Sequence, residues 1–122
     1  MKHLLVLTLC IFSFCAFDSL AQKVIPGHAH NDYLNKPALF EALDAKLISV
    51  EADVHFMKGD LYVAHVRPLG RNKKRSLENL YLKPLFEHVQ KNDGKVYPDY
   101  EGPFYLMIDF KGGSVEMYDR LI

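Results

Sequence analysis

The segment at residues 47–56, Leu-Ile-Ser-Val-Glu-Ala-Asp-Val-His-Phe, restricts the fold of this chain more than any other. Polar and apolar residues alternate strictly from Ser49 onward and β-branched residues are common, which predicts a β-strand. Side chains alternate across a strand, so four polar residues share one face: Ser49, Glu51, Asp53 and His55. Because the opposite face is wholly apolar, we expect this strand to lie in the centre of a sheet.

Strand-like and helix-like patterns alternate along the rest of the chain. Strands are predicted at residues 23–27, 61–64 and 104–110, and helices at 37–45 and 76–91, with a last helix opening at Gly113-Ser114. Pro84 divides the second helical segment, so its longer part is expected to begin near Lys83. The Lys-Gly-Asp sequence at 58–60 predicts a hairpin turn between the central strand and the short strand that follows.

The long connections between the other strands are typical of parallel pairing, because a parallel crossover needs a dozen or more residues. We therefore predict an α/β fold that forms the N-terminal portion of a (β/α)₈ TIM-type barrel. About three parallel strands and a β-hairpin insertion are expected. The barrel would be incomplete, since a closed one takes about 250 residues, and its functional residues would follow the carboxyl ends of the strands.

The first residues are typical of a cleavable export signal. The basic residues Lys2 and His3 come first, and an apolar run follows at 4–17. The small residues Ser19 and Ala21 then stand at the positions that a signal peptidase recognises. Cleavage between Ala21 and Gln22 divides the chain into a signal peptide at 1–21 and one domain at 22–122. The apolar run is shorter than the ~20 residues that span a bilayer, although an uncleaved signal anchor is the alternative. We expect a secreted or periplasmic protein without stable membrane insertion.

The charge balance narrows the choice of partners. Fifteen basic residues stand against fifteen acidic ones, which gives no sign of nucleic acid or of an anionic membrane surface as a partner. Both cysteines, Cys10 and Cys15, fall within the predicted signal, so the mature domain would have neither a disulfide nor a catalytic thiolate. The sequence carries no indication of an oligomeric state.

Glu51 and Asp53 stand two residues apart on the predicted central strand, so their carboxylates point the same way. Desolvated like charges repel one another and need a cation, and hard oxygen ligands favour Mg²⁺ or Ca²⁺ over zinc. Asp109, at the end of the last strand, completes a three-carboxylate set for one divalent cation, and Lys111 suits the negative charge of a phosphate. The alternatives are a solvated edge strand and an ordinary ion pair between Asp109 and Lys111.

Histidines occur where two predicted strands end. His28 and His30, with Asn31, follow the first strand, and His65 follows the short hairpin strand. Because the unperturbed pKa of histidine is ~6.5, two histidines beside a bound phosphate predict acid–base catalysis. The other two histidines considered, His55 and His88, are assigned to packing. The basic loop is assigned to a solvated surface; its charged residues are Arg67, Arg71, Lys73, Lys74 and Arg75.

Five segments carry a family likeness. They are Gly-His-Ala-His-Asn-Asp-Tyr at 27–33, Ser-Val-Glu-Ala-Asp-Val at 49–54, Leu-Tyr-Val-Ala-His at 61–65, Leu-Glu-Asn-Leu-Tyr-Leu at 77–82 and Leu-Met-Ile-Asp-Phe-Lys at 106–111. In this order they resemble the phospholipase-C-like phosphodiesterase superfamily, which includes glycerophosphodiester phosphodiesterases and phosphatidylinositol-specific phospholipases C. The likeness is greatest to the branch of "altered inheritance of mitochondria" proteins.

The resemblance implies roles for the matching residues. It implies two catalytic histidines, His28 and His65, and three metal ligands, Glu51, Asp53 and Asp109. It also implies that Lys111 contacts the phosphate. Independently of the resemblance, Asn31 and His30, which lie beside His28, are predicted to contact the substrate. Two positions depart from the glycerophosphodiesterase pattern. The sequence His-Ala-His at 28–30 stands where those enzymes carry His-Arg-Gly, and Asp109 stands where they commonly carry Glu.

We therefore expect a metal-dependent phosphoric diester hydrolase that acts on a glycerophosphodiester or a phospholipid headgroup, by hydrolysis or through a cyclic phosphate. Two alternatives stay open. The His28 and His30 pair is typical of amidohydrolase-type hydrolases, which bind zinc or other transition metals. The other alternative is a non-catalytic fragment whose barrel is not closed.

Overall fold

A computed structural model describes residues 23–122, and the predicted export signal and its cleavage point lie outside the described residues. Within that range the strands β1 to β4 span Ile25–Ala29, Leu47–Met57, Asp60–Val63 and Tyr105–Phe110. The helices α1 to α3 span Phe40–Asp44, Lys83–Lys91 and Val115–Asp119. Short 3₁₀ helices lie at Asp32–Leu34 and Lys73–Arg75, and a π-helical turn lies at Glu78–Leu82. No helix among these residues has the length and apolar character needed to cross a membrane.

The strand β2 is the centre of a four-stranded mixed sheet. Val50 pairs in parallel with both β1 and β4. Val54, further along the same strand, pairs antiparallel with β3 and parallel with β4. Because a strand has only two edges, β1 and β3 follow one another along one edge of β2, and β4 occupies the other.

The predicted α/β class, with parallel strands and a hairpin, is confirmed. The connection through α1 joins β1 to β2, and the connection through α2 leads from the hairpin to β4. Both connections return the chain to the same end of the sheet, as parallel pairing requires. The carboxyl ends of β1, β2 and β4 therefore lie along one edge, and this edge carries the candidate functional residues.

The apolar face of β2 forms the centre of the core. Val50, Ala52 and Val54 are fully buried there. They belong to one hydrophobic cluster with Leu39, which precedes α1, and Tyr81, which lies in the π-helical turn. The alternating pattern thus places its apolar half under the helices, and the polar half faces the other side of the sheet.

The helix α1 begins at Phe40, later than the predicted start at Pro37. Leu39 has a positive φ of 67°, and its amide donates a hydrogen bond of 2.6 Å to the buried carboxylate of Asp32. A residue held in that conformation cannot belong to a right-handed helix. The side chain of Asp32 therefore sets the start of α1.

The helix around Pro84 is continuous rather than divided. The π-helical turn closes with a hydrogen bond from the amide of Lys83 to the carbonyl oxygen of Glu78, and α2 follows at once. Pro84 is the second residue of α2 and directly follows the π-helical turn, so the helix passes through the proline without a break. The predicted start near Lys83 is confirmed.

Candidate functional site

Three carboxylates converge on the polar face of the sheet. Glu51 and Asp53 project from β2, and Asp109 of β4 is the register partner of Asp53. Partners in a parallel register point to the same face, so the third carboxylate joins the first two. One oxygen from each of the three lies within 4.8 Å of the others. The residues predicted as metal ligands are therefore close enough to share one ion.

Asp53 is the best-buried member of this acidic centre, and its two oxygens differ. The Oδ2 atom accepts hydrogen bonds from the Tyr33 hydroxyl at 2.7 Å and from His65 Nδ1 at 2.9 Å, and it lies 3.1 Å from Lys111 Nζ. The Oδ1 atom is also buried but has no hydrogen-bond partner in residues 23–122. Leaving a buried carboxylate oxygen unpaired is costly, so this atom is the one that could contact a bound cation.

The protonation of Asp53 follows from the same contacts. Burial on its own would raise the pKa of this carboxyl, but the hydrogen bonds from Tyr33, His65 and Lys111 outweigh burial and hold the pKa below its usual range. Asp53 is thus ionised at neutral pH. The unpaired Oδ1 atom therefore carries part of a full negative charge.

Lys111 lies between two carboxylates. Its ammonium contacts Asp109 Oδ2 at 2.5 Å and Asp53 Oδ2 at 3.1 Å. The hydrogen bond to Asp109, followed by the one to Asp53, raises the pKa of Lys111. Three carboxylates against one ammonium leave two negative charges in the acidic centre, which matches the charge of a divalent cation.

The predicted catalytic histidines both lie beside the acidic centre. His28 contacts Ser49 Oγ at 2.8 Å through Nδ1, and its Nε2 lies 4.0 Å from Glu51 Oε2. His65 is largely exposed, and its Nδ1 lies 2.9 Å from Asp53 Oδ2. A carboxylate at Nδ1 favours the tautomer that carries a proton there and leaves the other ring nitrogen as an acceptor. Each ring is therefore held by one polar partner from β2.

The predicted substrate contacts His30 and Asn31 take part in the same network. His30 Nε2 lies 3.2 Å from Glu51 Oε2, nearer than the corresponding atom of His28. The amide of Asn31 donates to Glu51 Oε2 at 3.2 Å, and its side chain lies between His30 and Tyr33. Asn31 adopts a left-handed conformation, with φ of 53°, which asparagine tolerates better than most residues.

Tyr33 is the site residue that sequence reasoning missed. Its buried hydroxyl lies 2.7 Å from both Asp53 Oδ2 and Asn31 Oδ1. Burial, followed by the hydrogen bond to Asp53, raises the pKa of Tyr33, so the hydroxyl remains a donor. Its position directly after the polar cluster of 28–32 is the one signal in the sequence, but a tyrosine in a loop belongs to no periodic pattern.

The two histidines assigned to packing each contact a backbone carbonyl oxygen. His55 is buried, with Nε2 3.4 Å from the carbonyl oxygen of His65. His88 bonds the carbonyl oxygen of Val96 at 2.7 Å. In the basic loop, Arg75 donates through Nε to the carbonyl oxygen of Val63 at 3.1 Å, so this residue is anchored to β3 and is not simply solvated.

The fold and the site together define an α/β domain with an acidic, histidine-lined centre at the carboxyl edge of its parallel strands. The chain belongs to the family of the AIM6-like phosphodiesterase domain, whose family model matches residues 18–122. This places it in the phosphodiesterase superfamily that the five segments resemble.

Curated relatives point to the same family. The chain is 32% identical to "Altered inheritance of mitochondria protein 6 homolog" of Arthroderma benhamiae, over 80% of this chain and 37% of that protein. It is similar to "Altered inheritance of mitochondria protein 6" of Kluyveromyces lactis, with 35% identity over 81% of this chain and 30% of the relative. It is 30% identical to the protein of that name in Saccharomyces cerevisiae, over 80% of this chain and 28% of the relative. The chain thus spans about a third of the length of these relatives. No solved structure matches it.

Proposed function

We propose that this domain cleaves phosphodiesters with the help of one divalent cation, Mg²⁺ or Ca²⁺. The observation that carries the proposal is the buried Oδ1 atom of Asp53, which is ionised and unpaired beside two further carboxylates. The family is a phosphodiesterase family by description. A glycerophosphodiester or a phospholipid headgroup is the proposed substrate class.

The donor set fits such an ion. Glu51, Asp53 and Asp109 offer only oxygen atoms, which are the ligands that Mg²⁺ and Ca²⁺ prefer. The two uncompensated negative charges of the acidic centre would be neutralised by a divalent ion. When bound, the ion would offset the charge of the phosphate and make the phosphorus more open to attack.

The histidines are proposed to move protons at the reacting oxygens. His65 is held at Nδ1 by Asp53, so its Nε2 atom can accept or deliver a proton. His28 is held at Nδ1 by Ser49, so its Nε2 atom is the second candidate for proton transfer. One would activate the attacking oxygen, and the other would protonate the leaving oxygen.

The remaining polar groups would bind and orient the phosphate. Lys111 brings a positive charge next to Asp109 and Asp53 and can contact a phosphate oxygen. His30 and Asn31 line the same side of Glu51 and are proposed to contact the substrate.

The sheet is compatible with one part of a (β/α)₈ barrel, which we propose as the complete architecture. The parallel strands β1, β2 and β4 lie side by side in the sheet in the same order as along the chain, with β3 inserted as a hairpin, and barrel strands follow each other in this way. Among the described residues β4 pairs only with β2. Its side chains Tyr105 and Met107 are 56% and 53% exposed, and their register partners on β2 belong to the polar face. Closure of a barrel around the polar face would cover them.

Metal titration tests the proposed cation. Thermal unfolding of the protein is measured with increasing Mg²⁺ or Ca²⁺, and a ligand at a hundred times its Kd should stabilise the folded state by about 2.7 kcal/mol. Asp53→Asn and Glu51→Gln should lose this stabilisation, whereas Asp119→Asn, an exposed substitution on α3, should keep it. Equal stabilisation of all four proteins would contradict the proposed metal centre.

Turnover of bis-p-nitrophenyl phosphate and of glycerophosphodiesters by the full-length protein tests the chemistry. Turnover should require the divalent ion and should fall roughly 10²- to 10⁴-fold in His65→Ala. A His65→Ala variant as active as the parent would refute the two-histidine scheme. A parent without turnover in the presence of bound metal would favour the non-catalytic fragment.

A second candidate function rests on His30, whose Nε2 lies closer to Glu51 than that of His28. If both imidazoles are ligands, the site is a His-x-His centre of amidohydrolase type that prefers zinc. His30→Ala would then lose metal affinity as severely as His28→Ala, and zinc would support turnover better than magnesium. Retention of magnesium affinity in both variants would exclude this alternative.

A further inference from the structure

A cleft of about 270 Å³ adjoins the acidic centre. It is lined by Phe56 near the end of β2, by Arg67 in the loop after His65, and by the segment from Lys111 to Ser114 after β4. Its volume equals roughly nine water molecules in liquid water, at ~30 Å³ each. The cleft therefore has room for a substituent several atoms in size beside the proposed reacting phosphate.

Two positively charged side chains line the cleft, Lys111 and Arg67, and only one of them is paired with carboxylates. Lys111 contacts the carboxylates of Asp53 and Asp109. Arg67 is exposed, and no carboxylate oxygen of residues 23–122 lies within 4.0 Å of its guanidinium. The uncompensated positive charge of the cleft is therefore that of Arg67.

The other lining groups leave this charge accessible. Gly112 and Gly113 form part of the wall, and a Cβ atom at either position would meet nothing within 4 Å. Phe56 and Met117 add apolar surface beside it. A guanidinium binds phosphate or carboxylate oxygens in pairs. It repels a quaternary ammonium group.

We propose that this cleft binds a second anionic group of the substrate and that Arg67 determines this specificity. The inference rests on the proposed phosphodiesterase function and narrows its substrate class. The preferred substrate is a phosphodiester that carries a further phosphomonoester or carboxylate. Phosphodiesters with a neutral or choline-type substituent are poorer substrates.

Matched substrates test this specificity in the full-length, Mg²⁺-loaded protein. Three phosphodiesters are compared that share the reacting group and differ only in a distal hydroxyl, carboxylate or phosphomonoester. Arg67→Ala should raise KM at least tenfold for the two anionic substrates and leave KM for the hydroxyl substrate within twofold. Arg67→Lys should recover part of the loss. The two anionic substrates show which of the two groups the cleft prefers.

Arg71→Ala is the control, because it removes the same charge from the same exposed loop but does not line the cleft. This variant should resemble the parent with all three substrates. An equal loss in the Arg71→Ala and Arg67→Ala variants, or an equal effect of Arg67→Ala on charged and uncharged substrates, would overturn the inference.

Binding of inorganic phosphate separates this inference from the proposed function. The titration is followed by calorimetry in buffer freed of divalent ions with a chelating resin, so that neither a divalent ion nor a soluble chelator contributes. The parent and Arg71→Ala should bind phosphate alike, and Arg67→Ala should bind at least tenfold more weakly. If the parent cleaves none of the substrates, the proposed function is wrong. Equal phosphate affinity of parent and Arg67→Ala overturns the inference whatever the turnover.

Discussion

The hydroxyl of Tyr33 lies 2.7 Å from Oδ2 of Asp53 and joins the loop after β1 to the central strand of the sheet. Both side chains are buried, and the contact spans twenty positions of the sequence. The hydroxyl is one of three donors on the same oxygen, which leaves the other oxygen of Asp53 unpaired. The loop after β1 is therefore part of the acidic centre.

Tyr33→Phe should weaken the site without removing a proposed ligand. Loss of a hydrogen bond to a charged group is expected to lower the free energy of unfolding by about 1.5–3 kcal/mol. Because the hydroxyl orients the carboxylate of Asp53, we expect Mg²⁺ affinity to fall roughly 10- to 100-fold. Urea unfolding and calorimetric titration measure the two effects.

Tyr100→Phe is the matched control for Tyr33→Phe. The hydroxyl of Tyr100 bonds the carbonyl oxygen of Pro103 in a loop that contributes nothing to the acidic centre. Its removal should leave Mg²⁺ affinity unchanged. If Tyr33→Phe also left Mg²⁺ affinity unchanged, the hydrogen bond from Tyr33 would not be needed to orient the carboxylate of Asp53.

Ser49→Ala should separate catalysis from metal binding. The Ser49 hydroxyl holds Nδ1 of His28 at 2.8 Å and contacts none of the three carboxylates. We expect kcat to fall about tenfold, because a misplaced catalytic group loses rate without loss of binding, while Mg²⁺ affinity stays at the parent value. Ser49→Thr keeps the hydroxyl and should retain most of the activity. Steady-state kinetics and metal titration of both variants test this, and a loss of metal affinity in Ser49→Ala would count against it.

Asp32 stabilises the fold and is not expected to contact a ligand. Its fully buried carboxylate accepts hydrogen bonds from the amide of Leu39 at 2.6 Å and from the hydroxyl of Tyr81 at 2.8 Å. Asp32→Ala leaves both donors unpaired and should lower the free energy of unfolding by about 3 kcal/mol. Tyr81→Phe should cost less, and the double variant should fall short of the sum because the two residues share one hydrogen bond.

Urea unfolding of the parent, both single variants and the double variant measures this coupling. Asp119→Ala, on the exposed side of α3, is the control and should change the stability by no more than about 0.5 kcal/mol. Strict additivity of the two single variants would mean that the hydrogen bond between Asp32 and Tyr81 contributes nothing to stability.

Alkaline pH should destabilise the protein through Tyr97. The hydroxyl of this buried residue donates to the carbonyl oxygen of Leu47 at the start of β2, and burial raises the pKa of Tyr97 from 10.0 to about 12. Below pH 10 the hydroxyl is protonated in both the folded and the unfolded state, so its contribution is fully present there. Between pH 10 and pH 12 only the unfolded state ionises readily, so this contribution is lost as the pH rises.

The loss from one tyrosine is at most about 1.4 kcal/mol per pH unit. Unfolding in urea at several pH values from 8 to 11, for the parent and Tyr97→Phe, measures it. The stability advantage of the parent over Tyr97→Phe should shrink above pH 10. A difference that stays constant over this range would show that the raised pKa of Tyr97 does not act on stability.

Local patterns of the sequence were sufficient for most of the secondary structure. The strict alternation of 47–56 identified the central strand and separated Glu51 and Asp53 from the buried valines, because strand side chains repeat every two residues. The start of α1 was wrong by three residues, since it depends on the contact between Leu39 and Asp32. Local sequence patterns do not predict that the carboxylate of Asp32 accepts a hydrogen bond from the amide of Leu39, seven positions away.

The sequence by itself determined that two carboxylates share one face of a central strand and that histidines lie near the strand ends, because both follow from the backbone geometry of single elements. The end of the first strand was misplaced, since β1 runs to Ala29 and includes His28. Only the tertiary structure decided which groups meet at Asp53. The register between β2 and β4 brings Asp109 beside it, the end of the hairpin brings His65, and the loop after β1 brings Tyr33. These contacts depend on how separate elements pack, and packing is set by the whole chain rather than by any one segment of it.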